Sequence, residues 1–286
     1  RMVCHTAAQK QWTLASLDVS VAFLKGLTFT ELAAKGHHRE PVAFVPCEDV
    51  WKLLAEIAPD KFAHVLANPK AWIFVLEKAA YGLRDAPLLW HLRAVEALKE
   101  LGYKALLHDG CTFVLRHPTT NSLLAILTLH VDDLLVAAEK EQIEALQKKL
   151  SDIFGALTLD MGTKGFKHFG VDIIQNASLD LITASQMNYI QDLKPIEMPG
   201  RCSKIAKCTP DKVTEYRALV SAIAWVGVTS PYALTSASLL QSCLPEPTWG
   251  DIVKLNTNLE QLKSEYVPLQ YFPIPEPHRL ISVADS

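Results

Sequence analysis

Two adjacent aspartates, Asp132 and Asp133, interrupt the apolar run LLAILTLHVDDLLVAA at residues 123–138. Successive side chains of a strand alternate between its faces, so two neighbours in mid-strand cannot both point the same way. A hairpin removes this constraint, and we interpret SLLAILTL as the incoming strand, HVDD as the turn and LLVAA as the returning strand. Two carboxylates held together repel each other unless a cation lies between them, so the turn is a candidate Mg²⁺ site. A solvated polar hairpin tip is the alternative for this stretch alone.

A third carboxylate, Asp18, lies at the end of another apolar strand, LASLDVSVAFL. A neighbouring strand would bring Asp18 beside the hairpin tip. Three carboxylates around two divalent ions about 3.5–4 Å apart form the arrangement used for in-line phosphoryl or nucleotidyl transfer. The three aspartates together therefore favour metal-dependent nucleotidyl chemistry over a solvated turn.

The hydropathy pattern predicts an α+β region followed by a mainly helical one, with the boundary near residue 195. Strand-like and helix-like segments alternate in the first region, and residues 28–60 are expected to form an irregular insertion with short elements. A helix is expected over EKEQIEALQKKLSDIFG, closed by its glycine. Three more helices are expected over KVTEYRALVSAIAWVGVT, PYALTSASLLQSCL and TWGDIVKLNTNLEQLKSE.

Composition narrows the class of protein. The net charge of -3 leaves no overall basic footprint, so a nucleic-acid surface would have to be a local patch. The six cysteines are scattered without a C-x-x-C pair, which favours reduced thiols over a disulfide framework or a zinc site. The longest apolar runs fall far short of the ~20 residues that a spanning helix needs, so no membrane partner is expected.

Four segments in order, LDVSVAFLKG, KAAYGLRDAPLLWH, LHVDDLLVA and FKHFGVDI, resemble the reverse transcriptase of Ty1/copia-type retrotransposons. The resemblance covers almost the whole chain and implies an RNA-directed DNA polymerase from a Pol polyprotein. It implies an α+β fold, with a palm of antiparallel strands backed by helices and then a helical thumb or connection. The implied division is a palm with partial fingers at 1–195, the thumb or connection at 196–265, and the start of an RNase H-like segment at 266–286.

The resemblance also implies roles for individual residues. Asp18, Asp132 and Asp133 correspond to the catalytic, metal-binding aspartates, and Val19 to the neighbour whose backbone helps to hold the metal. The implied cofactor is a pair of Mg²⁺ ions, with Mn²⁺ as a substitute. Phe23 corresponds to a steric gate, since an aromatic ring beneath the sugar would clash with a 2′-hydroxyl. Core packing is the alternative reading of Phe23.

Tyr81, Gly82 and Arg84 in YGLRDAP resemble the turn that lines the nucleotide and template pocket. Glycine permits close backbone approach, and Arg84 could meet phosphate. The family usually has Gln where this chain has Asp85. A negative charge there should be unfavourable beside an incoming triphosphate.

Primer contacts are implied at two places. His130 stands where the metal motif usually carries Tyr, and imidazole can still pack against a primer sugar. His168, Phe169 and Gly170 in HFGVDI resemble the primer grip, the hairpin that holds the primer 3′ end. An ordinary surface hairpin is the alternative for this segment.

One more departure from the family pattern and the two ends of the chain also bear on the resemblance. Residues 230–232 read Ser-Pro-Tyr where the family's thumb segment usually has Arg-Pro-Asp. HRLISVADS resembles the start of an RNase H domain, in which Asp285 would be the first metal ligand. In the family a basic fingers segment precedes the region matched here, so incomplete fingers are expected.

The implied partners are a primed RNA or DNA template, deoxynucleoside triphosphates (dNTPs) and the rest of a Pol polyprotein, including integrase and RNase H. The implied location is intracellular, in cytoplasmic virus-like particles with access to the nucleus. A degenerate, inactive retroelement remnant with at most weak nucleic-acid binding is the main alternative. It is favoured by Asp85, by residues 230–232 and by the incomplete fingers. A third reading, an unrelated metal-dependent nuclease, fits the motif order less well.

Overall fold

The computed structural model describes residues 1–200 and 202–275. Its α-helices are α1 (Met2–Lys10), α2 (Phe29–Ala34), α3 (Glu48–Ile57), α4 (Pro59–Phe62), α5 (Ala86–Glu100), α6 (Lys140–Phe154), α7 (Met187–Asp192), α8 (Pro210–Val226), α9 (Pro231–Gln241) and α10 (Trp249–Glu265). Short 3-10 helices lie at Ala22–Lys25, Ala63–Ala67, Pro69–Ala71 and Gly162–Lys164.

The strands are β1 (Thr13–Val19), β2 (Ala43–Phe44), β3 (Phe74–Val75), β4 (Lys104–Leu106), β5 (Asp109–Arg116), β6 (Leu123–His130), β7 (Asp133–Ala138), β8 (Leu157–Met161), β9 (Phe166–His168), β10 (Val171–Gln175), β11 (Ile182–Ser185) and β12 (Leu269–Tyr271). They form a six-stranded sheet in the order β4-β5-β6-β7-β1-β8, a four-stranded sheet in the order β12-β11-β10-β9, and the pair β2-β3. All neighbouring strands are antiparallel. The α+β class with antiparallel sheets is therefore confirmed.

The central strands of the six-stranded sheet are covered on both faces, which explains their almost unbroken apolar sequence. One face packs against α5 and α6, and its core includes Leu17, Leu127, Leu134, Val136, Ala94, Ile143 and Leu150. The other face packs against α1 and the four-stranded sheet, and its core includes Leu14, Ile126, Leu135, Ala137, Val3, Ile173 and Ile182. Alternate residues of β7 therefore enter two different cores, as the period of a strand requires.

The helices after residue 209 form a further core. Side chains of α8, α9 and α10 pack together there, including Tyr216, Ile223, Ala237, Ile252 and Leu259. The Tyr216 hydroxyl donates a hydrogen bond to the carbonyl of Leu240 over 2.9 Å, so the polar atom of this buried ring is satisfied. Strand β12 follows these helices and pairs with β11. The four-stranded sheet thus includes chain from both sides of residue 195.

Several predicted elements are confirmed. The strand ending near Asp18, the β6–β7 hairpin, helix α6 with Gly155 as its C-cap, and helices α8 to α10 all appear as expected. The six cysteines, all within the described residues, are free thiols. No helix in the described ranges is both long and apolar enough to cross a lipid bilayer. Residues 28–60 contain the short elements α2 and β2, as expected, together with a regular helix of 10 residues, α3, in which Trp51 and Ala55 are buried.

Candidate active site

Strand register brings the three aspartates to one end of the six-stranded sheet. Asp18 in β1 lies directly opposite Asp133 in β7, and His130 in β6 lies opposite Asp133 on its other side. The backbone N–H of Val19 donates to the carbonyl of Asp132 over 3.1 Å, which ties the turn to the end of β1. Asp18, Asp132 and Asp133 are all half-buried. Sheet pairing on both sides therefore fixes the backbones that carry these carboxylates.

Ionisation of the aspartates in this cluster is unfavourable when no cation is bound. Burial, followed by the negative charge of Asp132, raises the pKa of Asp18, and the nearby Lys25 opposes this effect. Burial, then Asp132 and then Asp18, raises the pKa of Asp133, while His130 lowers it. A bound cation would neutralise the repulsion between the carboxylates, which is one of the two causes that raise the pKa of Asp18 and of Asp133.

The donor chemistry fits a hard divalent cation, because all three side chains offer carboxylate oxygens. In the part of the chain that the structure describes, however, no three His, Cys, Asp or Glu side chains are placed to hold one ion together. The backbones and charges converge, whereas a ready three-ligand shell is not formed by the side chains as they stand.

Phe23 and Tyr81, which are far apart in the sequence, are in contact in the folded chain. Phe23 lies in the 3-10 helix that follows β1, and its ring centroid is 5.0 Å from that of Tyr81. The Phe23 ring is half-buried and also packs against two apolar cores, so it contributes to core packing. Gly82 has a φ of +91°, a conformation that glycine adopts at little cost. Tyr81, Gly82 and Arg84 form an exposed turn.

The charge of Asp85, expected to be unfavourable for a triphosphate, has a partner. Arg39 Nη1 lies 2.9 Å from a carboxylate oxygen of Asp85, and both side chains are largely buried. The guanidinium carbon of Arg39 lies 4.3 Å from the centre of the Phe29 ring. Sequence analysis missed Arg39 because a pairing across 46 positions leaves no periodic signal in the sequence.

The segment that resembles a primer grip is the β9–β10 hairpin, and it packs against the aspartate hairpin. The ring centroid of Phe169 lies 3.8 Å from that of His130 and 4.8 Å from that of His168. His168 Nδ1 is 3.5 Å from the Ser16 hydroxyl of β1. Burial, followed by the positive charge of His130, lowers the pKa of His168 from 6.5 to about 4. His130, His168 and Phe169 also line a cavity of about 410 Å³.

Gly170 and Trp225 connect this hairpin to the helical region. Gly170 has a φ of +68°, and a Cβ added to it would lie 3.8 Å from the Trp225 indole nitrogen. No motif in the sequence singled out Trp225. Asp285, expected to be an RNase H ligand, lies outside the described residues.

Comparison with known proteins identifies the family. Residues 59–209, more than half of the chain, match the family model described as reverse transcriptase (RNA-dependent DNA polymerase). This match includes Asp132, Asp133 and the β9–β10 hairpin, and it begins after Asp18.

Curated relatives extend the similarity over most of the chain. The retrovirus-related Pol polyprotein from transposon RE2 of Arabidopsis thaliana is 25% identical over 87% of this chain and 16% of that protein. The corresponding Pol polyprotein from transposon RE1 of the same plant is 23% identical over 92% of this chain and 17% of that protein. That from transposon TNT 1-94 of Nicotiana tabacum is 25% identical over 75% of this chain and 15% of that protein. The chain thus spans about a sixth of the length of these relatives. It belongs to the reverse transcriptase family, in the form carried by the Pol polyproteins of copia-type retrotransposons.

Proposed function

We propose that this chain is the polymerase part of an RNA-directed DNA polymerase, which adds dNTPs to the 3′-hydroxyl of a primer on an RNA or DNA template. The observation that carries the proposal is the register that sets Asp18 opposite Asp133, with Asp132 adjoining them. Burial, and then the negative charge of Asp132, raises the pKa of both Asp18 and Asp133, which is the property expected of a site that binds cations.

Asp18, Asp132 and Asp133 would hold two Mg²⁺ ions, with the backbone of Val19 beside them and Mn²⁺ as a substitute. When bound, the ions would lower the pKa of the primer hydroxyl and stabilise the charge that develops on the phosphate. The aspartates would fix where this charge is neutralised.

The remaining site residues act on the nucleotide and the primer. Phe23, supported by Tyr81, excludes a 2′-hydroxyl by its bulk. Gly82 lets the nucleotide approach the backbone, and Arg84 offers an exposed cation to phosphate. His130 with the hairpin residues His168, Phe169 and Gly170 would hold the primer end. The template supplies sequence choice by base pairing, so the protein contacts backbone and duplex shape.

The proposed domain division follows the same resemblance. Residues 1–195 form a palm with partial fingers, residues 196–265 a helical thumb or connection, and residues 266–286 the start of an RNase H-like segment. The proposed partners are a primed template, dNTPs and the other parts of a Pol polyprotein, integrase and RNase H. The proposed location is the cytoplasm, in virus-like particles, with access to the nucleus.

A catalytically inactive remnant is the second candidate. The observation in its favour is that, among the described residues, no three potential ligands are placed to hold one ion. Two sequence departures that favoured the remnant involve residues with structural roles in the folded chain. Asp85 pairs with Arg39, and the Ser230 hydroxyl caps helix α9 by accepting from the N–H of Ala233 over 3.3 Å. Neither departure therefore has to be explained by degeneration of an inactive element.

Primer extension on an RNA template, with Mg²⁺ or Mn²⁺, tests the proposal. We expect metal-dependent addition of dNTPs by a chain that includes any adjoining Pol segments, and loss of extension by at least about 10²-fold in Asp132→Asn. Degradation of the labelled primer would instead indicate a nuclease. Neither extension nor degradation, with the protein folded, would indicate the remnant.

A further inference from the structure

The turn that carries the aspartates has an unfavourable backbone conformation. Val131, directly before Asp132, has a φ of +53°, in the left-handed region. This region is costly for a β-branched residue and persists only where surrounding contacts enforce it. The Val131 side chain is 40% exposed, so its own burial provides little of that enforcement. His130 and Asp133 are paired, and the two-residue loop between them favours a positive φ at its first position, so the hairpin supplies part of the enforcement. A contact from outside the hairpin would add to it.

The indole of Trp90 supplies such a contact. Its Nε1–H donates a hydrogen bond to the carbonyl of Val131, across 41 positions in the sequence. Trp90 lies in α5, is 1% exposed, and its ring meets that of Phe154 in α6 edge-on, with centroids 5.0 Å apart. The donor is therefore held by two helices that pack under the sheet.

The same helix is tied closely to the strand that carries Asp18. A Cβ added to Gly26, just after the 3-10 helix that follows β1, would lie 2.9 Å from the backbone nitrogen of Trp90. The carbonyl of Asp132 accepts from Val19, and that of Val131 accepts from Trp90. Two consecutive carbonyls of the turn are thus fixed by β1 and by α5.

We propose that Trp90 is a positioning residue that holds the Val131–Asp132 turn in its left-handed conformation and so sets the Asp132 and Asp133 carboxylates for metal binding. The inference rests on the proposed function and goes beyond it, since Trp90 is a buried core residue that contacts the backbone of the turn. Without the indole N–H, Val131 relaxes toward an ordinary φ, and the backbone that carries Asp132 and Asp133 shifts with it.

The test compares Trp90→Phe, which keeps a buried ring and removes the N–H, with Trp51→Phe as the matched control. Trp51 is also almost fully buried, at 2% exposure, but its indole nitrogen has no hydrogen-bond partner within residues 1–200 and 202–275. Mn²⁺ binding is followed by the loss of the free-ion signal in electron paramagnetic resonance. We expect the Mn²⁺ concentration for half-saturation to rise about fivefold in Trp90→Phe and to stay unchanged in Trp51→Phe.

A second background separates turn conformation from general packing. Glycine adopts a positive φ without strain, so Val131→Gly removes the need for the indole anchor. We expect Trp90→Phe to weaken Mn²⁺ binding much less in the Val131→Gly background than in the parent chain. An equal loss in both backgrounds, or no loss in either, would overturn the proposal.

A measurement that needs no metal distinguishes failure of the proposed polymerase function from failure of the proposed role of Trp90. The ¹³Cα and ¹³Cβ chemical shifts of Val131, from valine-labelled protein, report its φ and ψ. We expect a left-handed signature in the parent and its loss in Trp90→Phe. If the parent neither binds Mn²⁺ nor extends a primer, the proposed function fails, and these shifts still decide the role of Trp90. Unchanged Val131 shifts in Trp90→Phe would refute it.

Discussion

Asp18 and Asp133 face each other as directly paired residues of the antiparallel strands β1 and β7. Like charges opposite each other destabilise a sheet, and burial adds to the cost of ionising both. The pKa of each carboxyl is raised, so the folded protein binds protons more tightly here than the unfolded chain does. The resulting stability is present at low pH and is lost as the pH rises through the unfolded and then the folded pKa values.

At neutral pH the metal-free protein therefore carries a penalty that Asp133→Asn removes. We expect this variant to be more stable than the parent by about 0.5–1 kcal/mol in urea unfolding at pH 7 without metal. Added Mn²⁺ should stabilise the parent and not the variant, because only the parent has the full set of carboxylates. Asp49→Asn, at a side chain that is 90% exposed, is the control and should change neither value. Destabilisation by Asp133→Asn would contradict the electrostatic account.

The hairpin and its neighbouring strand could be predicted because their signals are local. An apolar run broken by HVDD predicts a turn, and the apolar run that ends at Asp18 predicts a strand. Elements with weak local signals were missed. Helix α1 has a small apolar face, and β8 is a five-residue edge strand with two exposed residues. Their places are set by packing against the central sheet rather than by their own periodicity.

Long-range contacts of the candidate site were beyond sequence analysis for a related reason. The Arg39–Asp85 ion pair and the hydrogen bond from Trp90 to Val131 each join segments about 40 residues apart or more. The positive φ of Val131 was equally hidden, because Val disfavours that conformation and is not a residue that signals it in a sequence. Residue types were therefore predictable at this site, whereas the contacts that orient them were not.

Phe23 should control the choice of sugar. In Phe23→Ala we expect the preference for dNTPs over ribonucleotides to fall by about 10-fold or more, since the clash with the 2′-hydroxyl is gone. Because the ring also packs against two cores, the variant should lose about 1–3 kcal/mol of unfolding free energy. Competitive primer extension and urea unfolding measure the two effects. Phe44→Ala, at an exposed ring remote in sequence, is the comparison. Lost stability with unchanged discrimination would leave Phe23 as a core residue only.

The Arg39–Asp85 pair should behave as a coupled unit. We expect Arg39→Gln and Asp85→Gln each to cost about 1–2 kcal/mol, because each leaves a largely buried charge without its partner. The double variant should cost clearly less than the sum of the two. Urea unfolding of the four proteins gives the coupling energy. Glu246→Gln, from the exposed Lys207–Glu246 pair, should cost almost nothing.

Arg39→Gln should also weaken nucleotide binding, because Asp85 then carries an uncompensated negative charge next to the turn of Tyr81, Gly82 and Arg84. We expect the KM for dNTPs to rise several-fold in Arg39→Gln and to return toward the parent value in the double variant. Simple additivity in both stability and KM would mean that the two residues act independently.

His168 should make the stability of the protein depend on pH. Its pKa is lowered from 6.5 to about 4, first by burial and then by the charge of His130. Between these two values the unfolded chain binds a proton at His168 that the folded protein does not bind. Stability is therefore full above pH 6.5 and falls as the pH drops toward about 4, below which both states are protonated.

In His168→Gln this source of pH dependence disappears. We expect the loss of unfolding free energy between pH 7 and pH 4.5 to be smaller than in the parent by about 1–2 kcal/mol, because partial exposure of the imidazole screens its charge. Urea unfolding at a series of pH values measures the difference, with exposed His38→Gln as the control that should follow the parent. Asp18 and Asp133 change the unfolding free energy in the opposite direction as the pH falls, because their protonation relieves their repulsion. The comparison is therefore repeated in the Asp133→Asn background. Parallel curves for the parent and His168→Gln in both backgrounds would show that His168 titrates alike in the folded and unfolded states, and that its contacts with Ser16 and Phe169 do not exclude its charged form.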